Sequence, residues 1–237
     1  INALRKDGTD WGKEIYQVAL NQQYSFSISG GGSKASYYFS GGYYNEQGTT
    51  VGTGFERLNL TLKTDYDLLK NLRFGASVFV GQNKNDSYVS DTDVFTNPSR
   101  YTRVVNPYLS AYNPDGSYLY DPDMTARQRD SDVLDYNYFE ELNNTEYTLK
   151  TRSIKTIFDL DYQPVKGLRL YTQFGLQVDN SMTEKMAQEN SYFTRKYARN
   201  SVVDGIRYMP EGGVIQNWNS DMSQYNWKAQ AEYSGTF

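Results

Sequence analysis

The 237-residue sequence contains no cysteine and no histidine. These absences exclude disulfide scaffolds, cysteine-based zinc sites, redox cysteine pairs and catalytic triads that use histidine. No stretch approaches the roughly 18 apolar residues that a transmembrane helix requires. The net charge is -4, without a block of like charges, which argues against nucleic-acid binding. The first residues, INALRKDGTD, are neither a signal peptide nor a start methionine, so we expect a segment of a longer chain.

Aromatic residues and glycine are abundant instead. The chain has 23 tyrosines, 11 phenylalanines and 19 glycines but only 6 prolines, a composition that favours strands and turns. The mean hydropathy of -0.74 is low. Two classes of protein combine these properties. One is a soluble β-protein, and the other is a transmembrane barrel, in which every second residue faces water and lowers the mean hydropathy.

Seven segments alternate between apolar and polar residues, which is typical of β-strands with one apolar face. They cover residues 24–29, 36–44, 57–66, 72–81, 153–162, 168–179 and 225–233. Several reach about 10 residues, whereas a usual strand has about 5 or 6. A tilted strand that crosses a bilayer needs about 9 to 11 residues, so the lengths favour a membrane barrel.

The connections between these segments alternate strictly between short and long. GGGSKA, DLLKN and QPVKG are short, whereas NEQGTTVGTGFE and the stretches at about 82–152 and 180–224 are long. Alternate connections of an up-and-down sheet emerge at the same end, and outer-membrane barrels have short periplasmic turns and long extracellular loops. The sequence therefore predicts an all-β fold: an antiparallel up-and-down transmembrane β-barrel segment, about seven strands of a larger plugged barrel, with long extracellular loops.

Residues 1–22 form a lead-in segment ahead of the first strand. Trp11, Ile15, Val18 and Ala19 have helical spacing, and Asp10 is a suitable N-cap, so we predict a short amphipathic helix here. Residues 23–237 then constitute the partial barrel.

The alternation also predicts which side chains face lipid. A charged side chain in hydrocarbon is energetically unfavourable, so we predict that six charged residues face the interior of the barrel: Lys63, Asp65, Asp159, Asp161, Arg169 and Lys228. An aromatic girdle is predicted at the strand ends, formed by Tyr24, Tyr43, Tyr66, Tyr162 and Tyr233, with ordinary β-propensity as the alternative. YDLLKNLRFG (66–75) and YQPVKGLRLY (162–171) repeat one tight turn, with Lys70-Asn71 and Lys166-Gly167 at its tip. The repeat marks the periplasmic end.

Both long loops are crowded with aromatic residues, whose faces suit sugar rings and protein partners alike. The candidate ligand- or partner-facing residues are Tyr101, Tyr108, Tyr112, Tyr118, Tyr120, Tyr208 and Trp218. Tyr192, Phe193 and Tyr197 add to the second loop. The alternative is that these rings pack the loops upon themselves.

No motif predicts catalysis, a cofactor or a bound metal. Glu140-Glu141 and the stretch Asp115–Asp123 bring carboxylates together, but NPDGSYLYDPD lacks the spacing of an EF-hand. Asn113-Pro114-Asp115-Gly116 predicts a turn. Gly30-Gly31-Gly32 lacks the Lys-Ser/Thr of a phosphate-binding loop and predicts a hairpin.

Six segments are informative in their order along the chain: DGTDWGKEIY (7–16), NQQYSFSISGGGSKASYYFSGGYYNEQG (21–48), FERLNLTLKTDYDLLKNLRFG (55–75), NPSRYTRVVNPYLSAYNPDGSYLYD (97–121), MPEGGVIQ (209–216) and SQYNWKAQAEY (223–233). Together they resemble the SusC/RagA family of TonB-linked outer-membrane transporters. The resemblance implies TonB-driven import of oligosaccharides, or in some members of peptides, across the outer membrane of a Gram-negative cell. It also implies a SusD-like surface lipoprotein as partner, and lipid around the barrel.

The chain departs from the family pattern in what it lacks. It has no TonB-interacting segment, no plug domain and no final aromatic-ended strand, and seven strands cannot close a barrel of about 22. TonB would therefore act through a plug domain absent from this chain. Two other interpretations stay open: a soluble β-rich carbohydrate-binding or adhesion module, and a passive porin-like channel.

Overall fold

The structure, a computed structural model, describes residues 8–89, 96–121 and 134–235. Its main element is a seven-stranded antiparallel sheet. The strands are β1 (Asn21–Gly31), β2 (Ala35–Gln47), β3 (Gly54–Leu69), β4 (Leu72–Ser87), β5 (Thr145–Val165), β6 (Leu168–Ala187) and β9 (Val214–Tyr233). Each strand pairs with its neighbours in the order β1-β2-β3-β4-β5-β6-β9. Within the described residues β1 and β9 do not pair with each other, so the sheet is open. The predicted up-and-down segment is confirmed.

Strand register brings the alternating residues of all seven strands into common rows. One row across the sheet consists of Ile28, Phe39, Leu62, Val78, Thr156, Leu176 and Tyr225. The neighbouring row on the opposite face consists of Ser27, Ser40, Thr61, Phe79, Lys155, Gln177 and Gln224. Paired residues project to the same side of a sheet, so the sheet has one apolar face and one polar face.

The apolar residues end at a definite row near the long loops. That row consists of Tyr24, Tyr43, Leu58, Gln82, Arg152, Asn180 and Asp221, and we call it the boundary row. In the next row toward the loops, Glu56, Lys84 and Lys150 follow on the same face. We call the part of the apolar face between the boundary row and the short turns the apolar band.

The strands continue beyond the boundary row, and here the predicted ends were wrong. β4 reaches Ser87 rather than Gly81, and β5 begins at Thr145 rather than Ser153. β6 likewise reaches Ala187, and β9 begins at Val214. Past the boundary row the apolar face also carries polar residues, so the alternation that identified the strands stops although the hydrogen-bonded ladder does not.

The repeated turns lie at the opposite end of the sheet, as predicted. Lys70-Asn71 joins β3 to β4, and Lys166-Gly167 joins β5 to β6. The ladder shifts register just before each turn, between Asp67 and Leu69 and between Tyr162 and Val165. Arg73 and Arg169 project to the polar face and form ion pairs with Asp67 and Asp161 respectively.

The predicted girdle tyrosines occupy both ends of the apolar band. Tyr24 and Tyr43 are paired with each other in the boundary row. Tyr66 is paired with Phe74, and Tyr233 with Leu168, close to the short turns. Tyr162 is paired with Leu170 at the same end.

The lead-in segment contains helix α1 (Trp11–Ile15), and the Asp10 side chain accepts a hydrogen bond from the Lys13 amide at 3.3 Å, as expected of its N-cap. The prediction that the helix would also include Val18 and Ala19 was wrong, because α1 ends at Ile15. Gln17 donates its amide to the Thr49 carbonyl at 2.8 Å, so the chain there follows the β2–β3 loop, and Val18 is 95% exposed.

The two longest loops contain the remaining helices and a small hairpin. Helices α2 (Pro98–Val104) and α3 (Tyr138–Asn144) lie between β4 and β5. Helix α4 (Tyr192–Asn200) and the hairpin of β7 (Val202–Val203) and β8 (Ile206–Arg207) lie between β6 and β9. None of the helices in the described part of the chain is long and apolar enough to cross a membrane.

Candidate ligand-binding loops

A buried aromatic cluster, which we call the loop core, lies at the long-loop end of the sheet. It consists of Trp11, Ile15, Tyr101, Val105, Ala111, Tyr136, Tyr138 and Tyr192. These residues come from the lead-in segment and from both of the longest loops. Tyr101 is at its centre, with ring centroids 5.3 Å from Trp11, 5.5 Å from Tyr136 and 5.6 Å from Tyr138. The loops are therefore a packed unit.

Asn137 ties three parts of the first loop together. Its side-chain oxygen accepts hydrogen bonds from the Phe139 and Glu140 amides at 2.8 and 3.0 Å, which caps α3. Its side-chain nitrogen donates to the carbonyls of Ala111 and Leu119 at 2.7 and 2.9 Å. A buried amide with all these partners fixes the position of residues 111–119 relative to α3.

Glu141 joins the two longest loops, and we call this contact the Glu141 clasp. Its carboxylate is 4% exposed and accepts hydrogen bonds from the Tyr192 and Phe193 amides at 2.5 and 3.2 Å, at the start of α4. Burial raises the pKa of the Glu141 carboxyl to about 7, although the two amides favour the charged form. Glu140 forms an adjacent ion pair with Arg195 at 3.1 Å.

Residues 111–120 form a short turn structure that we call the aromatic hairpin. Tyr112 and Tyr118 form an isolated bridge, and their ring centroids are 5.7 Å apart. Between them the predicted NPDG turn is confirmed, because the Gly116 amide donates to the Asn113 carbonyl at 2.9 Å. An open depression of about 680 Å³ runs along the hairpin. It is lined by Tyr112, Asn113, Gly116, Ser117, Tyr118, Leu119 and Tyr120.

Neighbouring side chains hold the tyrosines of the aromatic hairpin. Phe139 stacks against Tyr112 with ring centroids 5.8 Å apart. Asn143 donates to the Tyr118 hydroxyl at 3.1 Å, and the Tyr120 hydroxyl donates to Glu140 at 3.1 Å. The depression thus combines fixed aromatic faces with amide and hydroxyl groups, which suits a polar ligand that also has flat apolar surfaces.

The structure brings together only part of the predicted site. Tyr112, Tyr118 and Tyr120 share the aromatic hairpin, whereas Tyr101 is 1% exposed and packs in the loop core. Tyr108 is exposed in the same loop. Tyr208 follows β8, and Trp218 lies on β9 opposite Thr183, on the polar face beyond the boundary row. Both are exposed.

Sequence reasoning did not identify Trp11, Tyr136, Tyr138 or Phe139 as parts of this region, nor Asn137 as its anchor. A signal was present at Asn137, because an Asn followed by acidic residues in the next turn is typical of a helix N-terminus. The Asp-Gly pair of VVDGIR likewise predicts a two-residue hairpin turn, and Asp204 and Gly205 have φ of +52° and +77° in the β7–β8 turn.

The carboxylates considered for a metal site do not converge in the described ranges, where no group of three or more potential ligands occurs. Glu140 and Glu141 bind different partners, as described above. The Asp115 carboxylate accepts hydrogen bonds from the Ser117 amide and hydroxyl at 2.9 and 2.6 Å, which stabilises the turn. Asp123 lies outside the described residues.

No protein-family model matches the chain. Two proteins of Formosa agariphila are similar to it in sequence. TonB-dependent receptor P3 is 26% identical over 193 residues, which cover 75% of the chain and 17% of that receptor. TonB-dependent receptor P39 is 25% identical over 185 residues, 76% of the chain and 17% of the receptor. The chain therefore spans about a sixth of the length of these curated relatives.

Solved structures of the RagAB peptide importer have the same fold. The "closed-closed" state matches 97% of the chain and 24% of the importer chain with a TM-score of 0.66 and 18% identity. The "open-open" state matches 95% and 23%, with a TM-score of 0.66 and 19% identity. The comparisons confirm the predicted resemblance: the chain is similar in sequence to TonB-dependent receptors, and its open sheet has the fold of a segment of a SusC/RagA-type transporter barrel.

Proposed function

We propose that the chain supplies barrel wall and extracellular loops to a TonB-dependent importer in the outer membrane of a Gram-negative cell. One observation carries this proposal: a single continuous apolar band crosses all seven strands, between short turns on one side and a packed loop core on the other. A soluble β-sandwich would cover such a face with a second sheet, whereas here Phe26, Phe158 and Trp227 are exposed.

The apolar band has the dimensions and the chemistry of a lipid-facing surface. On β5 it runs from Ile154 to Tyr162, nine residues, which matches the roughly 9 to 11 residues of a tilted membrane strand. Polar groups in hydrocarbon need a partner, and the Trp227 indole nitrogen donates to the Thr172 hydroxyl at 2.9 Å. We therefore assign the apolar face to the bilayer.

The polar face then lines the interior of the barrel. It carries the charged residues that the sequence placed inside, and several lie over aromatic rings. The Lys63 ammonium is 5.6 Å from the Phe79 ring centroid, and Lys228 is 5.6 Å from that of Tyr171. A hydrated interior with fixed charges suits the passage of polar solutes around a plug domain.

Oligosaccharides are the proposed solutes, because the exposed tyrosine faces and hydrogen-bonding groups of the aromatic hairpin suit sugar rings. Peptides are the second candidate, and a specific observation favours them: two solved structures with this fold are of a peptide importer. The proposed partner is a SusD-like surface lipoprotein. The exposed tyrosines of the long loops, such as Tyr108 and Tyr112, lie around the packed loop core and would offer it a rigid contact surface.

The experiment is uptake of labelled oligosaccharides and labelled peptides by cells that produce the protein with its SusD-like partner. Replacing Tyr112 and Tyr118 together by alanine should reduce uptake of the true substrate class about tenfold, since two stacking faces are lost. Tyr197→Ala, which removes an exposed tyrosine from α4, is the matched control and should retain uptake.

Deleting TonB should abolish uptake while the protein stays in the outer-membrane fraction. Uptake that persists without TonB would instead support the passive channel. Recovery of the protein in the soluble fraction would support the carbohydrate-binding or adhesion module.

A further inference from the structure

We propose that Lys84, Lys150 and Arg152 form a docking site for the phosphate groups of anionic lipid headgroups. These three residues, which we call the cationic patch, lie on the apolar face at the edge of the apolar band nearest the long loops. The inference rests on the proposed membrane orientation of that face and assigns a lipid partner to one place on it.

Strand register sets the three cations side by side. Lys84 of β4 is directly opposite Lys150 of β5, and Arg152 is opposite Gln82 in the boundary row, two residues along the same strand. Side chains opposite each other in an antiparallel pair have Cβ atoms roughly 4.5 to 5.5 Å apart. Because residues two apart on a strand share a face, all three charges project outward, within reach of one anionic group.

Two like charges directly opposite each other destabilise a sheet unless another group compensates them. Lys84 forms an ion pair with Asp86 at 2.6 Å, which compensates one of the three positive charges. Lys150 and Arg152 are exposed, and neither forms an ion pair within the described ranges. Two cations at the lipid boundary are therefore available to an external anion.

The acids around the cationic patch lie level with it or farther toward the loops. Glu56 is opposite Lys84 on its β3 side. Asp86 and Glu184 both flank Thr148, one row farther toward the loops. Asp221 is in the boundary row with Arg152, but β6 lies between the strands of these two residues. The Asp221 carboxylate also accepts a hydrogen bond from the Asn180 side chain at 2.6 Å.

A headgroup phosphate fits this position better than other anions. The boundary row separates hydrocarbon-facing residues from water-facing ones, and this is the depth at which lipid phosphates lie. Lysine and arginine both bind phosphate oxygens through charge-assisted hydrogen bonds. Each cation near an anionic lipid surface strengthens binding about fivefold.

The test uses the full-length protein in detergent and counts bound phospholipids by native mass spectrometry. Phosphatidylglycerol is the anionic probe and zwitterionic phosphatidylcholine, with the same acyl chains, is the reference. The wild-type protein should prefer phosphatidylglycerol. In the double variant Lys150→Gln/Arg152→Gln, the ratio of bound phosphatidylglycerol to bound phosphatidylcholine should be about twentyfold lower. Lys63→Gln/Lys155→Gln removes the same charge from the polar face and should leave the preference unchanged.

Each outcome decides the inference. Equal binding of the two lipids by the wild-type protein, or a preference that survives in Lys150→Gln/Arg152→Gln, would overturn it. A preference lost equally in the polar-face control would show a general charge effect, which also overturns it. Insertion of the same protein into lipid nanodiscs is measured alongside. Failure to insert would mean that the proposed function has failed as well, whereas insertion without headgroup preference contradicts the cationic patch alone.

Discussion

At the scale of single residues, the two repeated turns differ in their backbone although both follow the pattern Tyr-x-x-x-Lys-x-Leu-Arg. Gly167 has φ of +89°, and a Cβ placed there would lie 2.4 Å from the Ser234 carbonyl oxygen. Asn71 occupies the corresponding position of the other turn without a positive φ, and its side chain donates to the Gln163 carbonyl at 3.0 Å. The β5–β6 turn therefore requires glycine, whereas in the β3–β4 turn the Asn71 side chain is hydrogen-bonded to the neighbouring strand β5.

We expect Gly167→Ala to lower the free energy of unfolding by about 1 to 3 kcal/mol, because alanine is strained in the left-handed region and meets backbone. Urea unfolding in lipid vesicles measures this change. Gly32→Ala, in the β1–β2 turn, is the control, since a Cβ there meets no atom within 4 Å. Identical unfolding curves for both variants would contradict the requirement.

At the scale of elements, the sequence located all seven strands of the main sheet and the alternation of short and long connections. Both signals come from the part of the sheet that contains the apolar band, where one apolar and one polar face impose a period of two. Beyond the boundary row both faces carry polar residues, so Thr145–Arg152 of β5 and the loop-side part of β9 went unrecognised. Their strand structure follows from pairing with neighbours, which a single segment does not reveal.

A charge placed within the apolar band distinguishes its two faces. Phe174 and Gln173 are consecutive on β6, and Phe174 belongs to the apolar face, whereas Gln173 is paired with Asp159 and Lys228 on the polar face. Phe174→Arg should lower the free energy of unfolding in lipid vesicles by about 2 to 4 kcal/mol, because the cation enters hydrocarbon.

Gln173→Arg should change the same quantity by less than about 1 kcal/mol, since the new cation lies beside a carboxylate in a hydrated interior. The two variants have the same new side chain and neighbouring positions. A similar loss in both would mean that the polar face does not face water.

The Glu141 clasp, which joins α3 to α4, should respond to pH. The folded-state pKa of about 7 lies above 4.5, the ordinary value of a glutamate carboxyl, so the folded loops bind the proton more tightly than the opened loops. The contribution of Glu141 to loop stability is therefore fully present below about pH 4.5 and is lost as pH rises through about 7. The change is on the order of 3 kcal/mol.

Hydrogen exchange at the Tyr192 and Phe193 amides, corrected for intrinsic rates, measures this opening between pH 5 and pH 8. Protection should decrease with rising pH in the wild-type protein. In Glu141→Gln, which keeps an acceptor oxygen but does not titrate, protection should be independent of pH. A pH dependence that persists in Glu141→Gln would contradict its assignment to the Glu141 carboxyl.

At the scale of the whole molecule, the loop core assembles residues from distant parts of the chain. Trp11, Tyr101 and Tyr192 meet although strands of the main sheet separate them in sequence. Aromatic density in the long loops predicted a ligand- or partner-facing surface there, and the structure places Tyr112, Tyr118 and Tyr120 together in the aromatic hairpin. Aromatic density could not show that Tyr101 is buried, because that depends on partners far away in sequence.

Trp11→Ala should loosen the loop core by about 3 to 5 kcal/mol, the usual cost of removing a large buried aromatic side chain. Hydrogen exchange should accelerate in α2 and α3 while the strands of the apolar band keep their protection. Val18→Ala is the control, because Val18 is almost fully exposed. Faster exchange across the whole sheet would show that the lead-in segment supports the barrel wall as well.

In the proposed membrane orientation, the length of strand beyond the boundary row determines the distance between the loop core and the bilayer. On β5 this length is Thr145–Thr151, seven residues, or about 23 Å along a strand at about 3.3 Å per residue. With a tilt of about 40° the vertical rise is about 18 Å. A headgroup layer is only about 5 to 8 Å thick. The loop core therefore clears the lipid surface by about 10 Å, high enough for a folded protein to reach it from the side without displacing any lipid.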